Sequence, residues 1–270
     1  MEKFIITQKN NIWYGMFPVL TEAGFVNACS CRKNGESDIV AGTLNLALHV
    51  GDDVAKVLRN RKAFAEAIGV DANLFTTCQQ VHDSKVVRVT EELIGSGAKD
   101  FVHTIAGADA LITDISDVPL LLFYADCVPV LLADVETGAI GLAHAGWRGT
   151  VANIGVKTLA AMVEAFGTKP ENVLAGIGPS IGACCYEVDD FVRDQATGYE
   201  DFFAPKGGGK YQLDLWGMNA KQLQEAGVPA ENIVVAGVCT NDNVDLFCSY
   251  RAEQGRTGRM GVSLCARKPK

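Results

Sequence analysis

The run VPLLLFYADCVPVLLAD, residues 118–134, decides how this chain folds. It is the most apolar stretch of the sequence, but Pro119, Asp126 and Pro129 break it, and what lies between them is too short to cross a bilayer. It reads instead as two consecutive strands, residues 118–125 and 129–134, that are apolar up to Asp134 because both faces are buried. Working outward, residues 139–144 form another buried strand that ends at His144. The Gly-rich turn Gly146-Trp-Arg-Gly149 then opens a helix over 150–166, capped by Thr150 and stopped by Gly167. Further strands are expected at 73–82, 85–89, 173–177, 233–238 and 262–267. Helices are expected at 53–68, before Gly69, and at 214–226, from an Asp cap to Gly227. Not every strand is followed by a helix, which argues against a regular doubly wound sheet. The expected class is α/β with a mixed β-sheet core and flanking helices, in one domain over residues 1–270. No internal repeat or low-complexity tract interrupts it, and the PKGGGK run at 205–210 reads as a flexible surface loop.

Composition narrows the function. With 48% hydrophobic and 21% charged residues the chain is globular, not disordered. Its 24 basic and 32 acidic residues leave a net charge of −8, and no basic cluster stands out, so nucleic acid and anionic membrane surfaces are excluded as expected partners. A local basic pocket for a small anion stays open. Residues 1–10 carry no signal-like apolar segment, and the nine cysteines are odd in number, which points to a reducing, cytoplasmic setting. Cys184-Cys185 is a vicinal pair, a poor disulfide, and no CxxC occurs, so zinc-ribbon and thioredoxin-like readings fall away.

Polar residues gather where strands end. His82 closes one strand, Cys127 lies between two, and His144 closes a fourth. Two imidazoles and a thiolate are a workable zinc set, and three protein ligands are the catalytic pattern; a buried cysteine with two hydrogen-bonded histidines is the structural alternative. Arg148, beside a Gly-rich turn and a helix start, suits a phosphate, or is a solvated arginine. Arg61 falls on the apolar stripe Val54, Leu58, Ala65, Ile68 of its helix, so it faces the core and needs an anionic partner, either a structural carboxylate or a substrate group. Asn45 is a site or a turn residue. Asp126 orients a ligand, acts as a base, or caps a turn. His49 is structural or functional, and His103 sits in a polar loop.

These residues occur in an ordered pattern: Asn45-Leu-Ala-Leu-His-Val-Gly-Asp-Asp53, Gln80-Val-His82, Gly107-Ala-Asp-Ala-Leu-Ile-Thr113, Ala125-Asp-Cys-Val-Pro-Val130, Ala143-His-Ala-Gly-Trp-Arg-Gly-Thr150, Ile177-Gly-Pro-Ser-Ile-Gly-Ala-Cys-Cys-Tyr-Glu187, Cys239-Thr240, Ser249-Tyr-Arg251 and Thr257-Gly-Arg-Met260. The chain resembles the YfiH/YlmD family, also called the laccase-domain or polyphenol oxidase family, from about Asn45 to Met260. Asp83 and Ala47 depart from the glycines common there. The resemblance implies a zinc site at His82, Cys127 and His144, with Asn45 and Arg61 contacting substrate. It implies activity on purine nucleosides: phosphorolysis of adenosine, inosine or methylthioadenosine, and deamination of adenosine to inosine. Some bacterial members are associated with editing of peptidoglycan precursors.

Several readings follow from these residues. The first is a zinc-dependent purine nucleoside enzyme, a monomer or weak homo-oligomer, with Arg61 and Arg148 holding phosphate and Asp126 as a candidate base. The second is copper-dependent phenol oxidation. Against it, four histidines cannot ligate one mononuclear and one trinuclear copper centre in one chain. His₂Cys is nonetheless a blue-copper ligand set, and copper heads the divalent affinity order. The third is a cysteine hydrolase with Cys127 as nucleophile and His144 as base, and the fourth a metal-stabilised binding module.

Overall fold

The computed structural model describes residues 2–266. In chain order its strands are β1 (Ile5–Lys9), β2 (Ile12–Met16), β3 (Phe25–Ser30), β4 (Val86–Arg88), β5 (Ala110–Thr113), β6 (Leu120–Tyr124), β7 (Val128–Asp134), β8 (Ile140–Ala145), β9 (Val173–Ile177), β10 (Glu187–Asp189), β11 (Phe203–Gly207), β12 (Lys210–Leu213), β13 (Ile233–Val235) and β14 (Met260–Ala266). The helices are α1 (Pro18–Glu22), α2 (Val54–Ile68), α3 (Trp147–Val151), α4 (Ile154–Phe166), α5 (Asp190–Arg193) and α6 (Leu215–Glu225). One antiparallel sheet runs β1-β2-β3-β14-β6, a mixed sheet runs β13-β9-β7-β8-β5-β4, and a small third sheet runs β10-β12-β11.

The alternation of side chains explains the uniformly apolar strands. Leu120, Leu122 and Tyr124 of β6 point inward with Val262 and Leu264 of β14 and meet Leu131 of β7 and Leu142 of β8, so the two large sheets pack face to face. The intervening residues Leu121 and Phe123 point outward onto Phe64, Ala65 and Ile68 of α2. On the far side, Val130 and Leu132 of β7 pack against Ile154 and Met162 of α4 and Met218 and Leu223 of α6. The result is four layers, helix on sheet on sheet on helices, in which each large sheet is covered on both faces.

The expected mixed β core with flanking helices is present, and its details differ in several places. Residues 73–82 do not form a ladder strand. They make a single helical turn (Ala72–Leu74) and isolated bridges from Thr76 to Leu120 and from Cys78 to Ile105. The Gln80 side chain then does what a strand backbone would: its Nε2 donates to Phe123 O at 2.8 Å, and Phe123 N donates to its Oε1 at 2.8 Å. The helix expected from 150 starts earlier, at Trp147, and breaks at Asn153, whose φ is +58°. Thr150 is therefore inside α3 and not a cap, and α6 holds the break, because Gln222 Nε2 donates to Thr150 O at 2.9 Å. The PKGGGK run is not an open loop but a hairpin, β11 to β12, turning at Gly208 and Gly209. The strand expected at 233–238 ends at Val235, and Arg267 of the last expected strand lies outside the described residues. The N-terminal strands β1–β3 have no counterpart in the sequence expectations.

Leu131 is fully buried between the two sheets. Leu131→Ala is expected to destabilise the protein by about 2–5 kcal/mol, read as a fall in the denaturation midpoint at unchanged slope.

Candidate functional site

The connection from β6 to β7 crosses from one large sheet to the other at residues 125–127. The corner is sharp: Asp126 has φ +82°, a conformation few non-glycine residues adopt. Both of its carboxylate oxygens hold neighbouring loops, accepting from Thr240 Oγ1 at 2.7 Å and from Arg251 N at 2.7 Å. The corner presents Cys127 beside His144, which lies in β8 opposite Pro129. His82 reaches the same point from the turn after Gln80, with φ +60°. The rings of His82 and His144 lie 4.9 Å apart at 76°. One donor atom each from His82, Cys127 and His144 fall within 4.8 Å of one another.

A residue the sequence analysis did not single out organises this set. Asp109, fully buried, accepts hydrogen bonds from the backbone N–H of Val81 (3.0 Å), His82 (3.0 Å) and Asp83 (2.9 Å) and pairs with His144 Nδ1 at 2.8 Å. An ionised carboxylate only accepts, so His144 donates from Nδ1 to Asp109 and turns Nε2 toward Cys127. Burial pushes the Asp109 carboxyl up, but the His144 hydrogen bond and the loop amides outweigh it and hold it below the usual range. Burial likewise raises the Cys127 thiol, yet the charge and hydrogen bonds of His144 and His82 bring it down to about 6. His144 is driven the other way. Burial opposes its charge, but Cys127 and Asp109 raise it to about 9. The site thus holds a thiolate against positive charge, which a divalent cation supplies in place of a proton. A tetrahedral zinc separates its nitrogen and sulfur ligands by roughly 3.5 Å, so the three donors fit one ion. Gly146 lets this happen, because a Cβ there would stand 3.0 Å from Cys127 Sγ and 3.4 Å from His82 Cδ2.

The three donors lie on a cavity of about 580 Å³, the size of a small-molecule site. Its wall carries Phe123, Trp147, Tyr186 and Tyr250, and three guanidinium groups, Arg148, Arg251 and Arg259. Each arginine sits over an aromatic ring: Arg148 over Trp147 at 4.3 Å, Arg251 over Tyr186 at 5.2 Å and Arg259 over Tyr250 at 5.6 Å. His49 also lines it. Burial and the charges of Arg259 and Arg61 lower it to about 4, so it is neutral at pH 7.

Of the residues expected from sequence, His82, Cys127, His144, Asp126 and Arg148 line this cavity, and Asn45 and Arg61 do not. Arg61 is buried as expected, although the buried face of its helix runs through Val57, Phe64, Ala65 and Ile68 and leaves Val54 exposed, and its partners are not anionic. It donates to the carbonyls of Leu46 (2.7 Å), Gly97 (2.6 Å) and Ala98 (3.0 Å) and lies 5.0 Å from the Phe123 ring. Three carbonyl dipoles and a π face replace the carboxylate. Asn45 is fully buried, and its Oδ1 accepts from Arg259 N at 2.9 Å, so it sets the backbone that carries a cavity arginine. Arg251 and Arg259 were missed as site residues, although both stand in the quoted C-terminal pattern. His103 is exposed and bonds Asp100. Among the described residues no methionine lines the cavity, so the axial ligand of a blue-copper site has no candidate there. No helix among the described residues is long and apolar enough to cross a membrane.

Fold and site together define a four-layer α/β protein with a His₂Cys metal-donor set at the floor of a cation-lined cavity. Residues 26–267 match the family described as multi-copper polyphenol oxidoreductase laccase, and the chain belongs to that family. It is 39% identical over 243 residues to the purine nucleoside phosphorylase YlmD of Geobacillus stearothermophilus, covering 88% of this chain and 89% of that one. It is 37% identical over 242 residues to that of Bacillus subtilis, covering 88% and 86%. The crystal structure of YlmD from Geobacillus stearothermophilus matches with a TM-score of 0.92 at 36% identity over 98% of this chain and 99% of that one. That of the Bacillus licheniformis hypothetical protein YfiH matches with 0.90 at 33% over 94% and 96%.

Asp109→Asn keeps the size of the side chain but turns an acceptor toward amide donors into a competing donor. Zinc affinity is expected to fall about 10- to 100-fold, measured by competition with a chromophoric chelator.

Proposed function

We propose that the chain is a zinc-dependent purine nucleoside phosphorylase, converting adenosine, inosine or methylthioadenosine with phosphate to free base and the pentose 1-phosphate. The observation that carries this reading is the convergence of Arg148, Arg251 and Arg259 on an aromatic-walled cavity in a chain of net charge −8. The names of the relatives support it. The aromatic faces suit a stacked purine. The guanidinium forks suit phosphate and would stabilise charge as the glycosidic bond breaks. Held by His82, Cys127 and His144, zinc supplies Lewis-acid chemistry at the cavity floor, and copper is the alternative occupant of the same donors. We assign Asp126 to positioning, since both its oxygens are engaged by Thr240 and Arg251. Asn45 acts through Arg259 and Arg61 through Phe123. Three protein donors are one fewer than a structural zinc site uses, which supports deamination of adenosine as a second activity of the same cavity. We expect the enzyme to work in the cytoplasm.

A second reading has its own observation. Cys127, His144 and Asp109 stand in the order of a nucleophile, a base and an orienting carboxylate, as in a cysteine hydrolase. Thiol alkylation separates the two. Protection of Cys127 by zinc supports the metal site, and stoichiometric alkylation of the zinc-loaded protein supports the hydrolase.

Adenosine and inosine are to be incubated with zinc-quantified protein, with and without phosphate, and the products separated. Free base is expected only with phosphate, and inosine from adenosine without it. Cys127→Ala is expected to remove both activities, while Arg251→Ala raises KM for phosphate about tenfold or more. Free base formed equally without phosphate, or no turnover with zinc bound, overturns the phosphorylase.

A further inference from the structure

Outside the cavity, a second group of side chains of metal-ligating type is unused by this chemistry. Donor atoms of Cys184, Cys185, Cys239 and Asp242 all lie within 4.8 Å of one another. They come from two loops, one between β9 and β10 and one between β13 and β14. The loops are already joined: Ser180 bridges Cys239, with Ser180 N donating to Val238 O and Thr240 N donating to Ser180 O. Gly182 N donates to Cys239 Sγ at 3.3 Å, and a Cβ at Gly182 would meet the Trp216 ring at 2.8 Å and Cys184 Sγ at 3.2 Å. The loop therefore depends on a glycine to bring its sulfurs in.

We propose that Cys184, Cys185, Cys239 and Asp242 form a second, structural site for a thiophilic divalent cation, zinc in the first place. The donor number and kind are those of a closed zinc site, four ligands rich in sulfur. The spacing of Cys239 and Asp242, two residues between ligands, is the short chelating loop of such sites, with a carboxylate in place of a cysteine. Cys184 and Cys185 supply the other pair. Without metal, both thiols donate to Asp242, from Cys184 at 3.0 Å and from Cys185 at 2.9 Å. These bonds already bring two sulfurs and a carboxylate together. Tetrahedral zinc sets its sulfur ligands about 3.8 Å apart, so the pocket closes on the ion with shifts smaller than its present spread. Binding replaces the three thiol protons, which leave to solvent, and forms three zinc–sulfur bonds and one zinc–oxygen bond with no change in oxidation state.

The site has a consequence for the cavity. The first loop carries Ile181 and Tyr186 and the second leads to Tyr250 and Arg251, all in the cavity wall. Asp126 binds both loops, through Ile181 N and Thr240 Oγ1. A cation at the four donors would therefore stiffen the wall that holds Tyr186 and Arg251.

The test counts metal and needs no substrate. Zinc-loaded wild-type protein, freed of excess metal, is expected to hold about two zinc ions per chain, one for each donor set. Asp242→Ala combined with Cys185→Ser, both at accessible positions, is expected to hold about one. In Cys127→Ala, which removes the only other site sulfur, cobalt(II) is expected to give a thiolate charge-transfer absorption that disappears when Asp242→Ala and Cys185→Ser are added. One zinc per chain in wild type and in Asp242→Ala/Cys185→Ser alike overturns the proposal. So does a cobalt–thiolate absorption absent from folded Cys127→Ala, or a disulfide among these cysteines in freshly isolated protein.

Discussion

The Asp109 carboxylate is the contact on which the site depends. One buried anion accepts three consecutive amides of the turn that carries His82 and also fixes the ring of His144. A carboxylate buried without partners would be costly, and here four N–H groups share the charge. The two imidazoles belong to segments distant in sequence, and Asp109 ties both to the start of β5. The placement of both histidines thus depends on a single residue.

Two sheets stacked face to face create the place for that residue. Strands buried on both faces leave no room for polar groups in their middles, so polar groups collect where the chain leaves a sheet. The β6–β7 corner is such a point, because the chain changes sheets there within three residues, 125–127, and the left-handed backbone at Asp126 is the means. Backbone strain of this kind persists only where its surroundings hold it. Thr240 and Arg251 do so through the Asp126 carboxylate.

Much of this was legible in the sequence. Buried strands at 118–134 and 139–144 announce themselves by composition, and Cys127 and His144 by their positions where those strands end, whereas His82 lies on a turn and not at the end of the strand expected there. Asp109 did not announce itself, although it precedes a short, mostly apolar strand, where a carboxylate demands a buried partner. That partner, His144, is 35 positions away, and no local spacing reveals it. Arg61 was read rightly as core-facing, but periodicity reports a direction, not the chemistry met there, and three carbonyls answered the charge. The break at Asn153 was hidden because its cause lies in Gln222 of another helix. Arg251 and Arg259 sit in loops without periodicity, so only the fold brings them to the cavity.

The cavity arginines pose a last question, which is how an acidic chain keeps three cations in one wall without pairing them to carboxylates. Charge alone does not answer it, because an arginine paired with a carboxylate offers little to a ligand. Here the side chains are held otherwise. Arg148, Arg251 and Arg259 each rest on an aromatic ring of the same wall. The further bonds of Arg251 and Arg259 go to neutral carbonyls, those of Glu187, Thr257 and Gly258. Stacking restrains a guanidinium without neutralising it and leaves in-plane N–H donors for a ligand. Asp126, the carboxylate in the lining, has both oxygens engaged elsewhere. The guanidinium groups of the wall are thus ordered by stacking, and among the described residues none of the three forms a salt bridge to a carboxylate. That combination separates a binding wall from an ordinary salt-bridged surface.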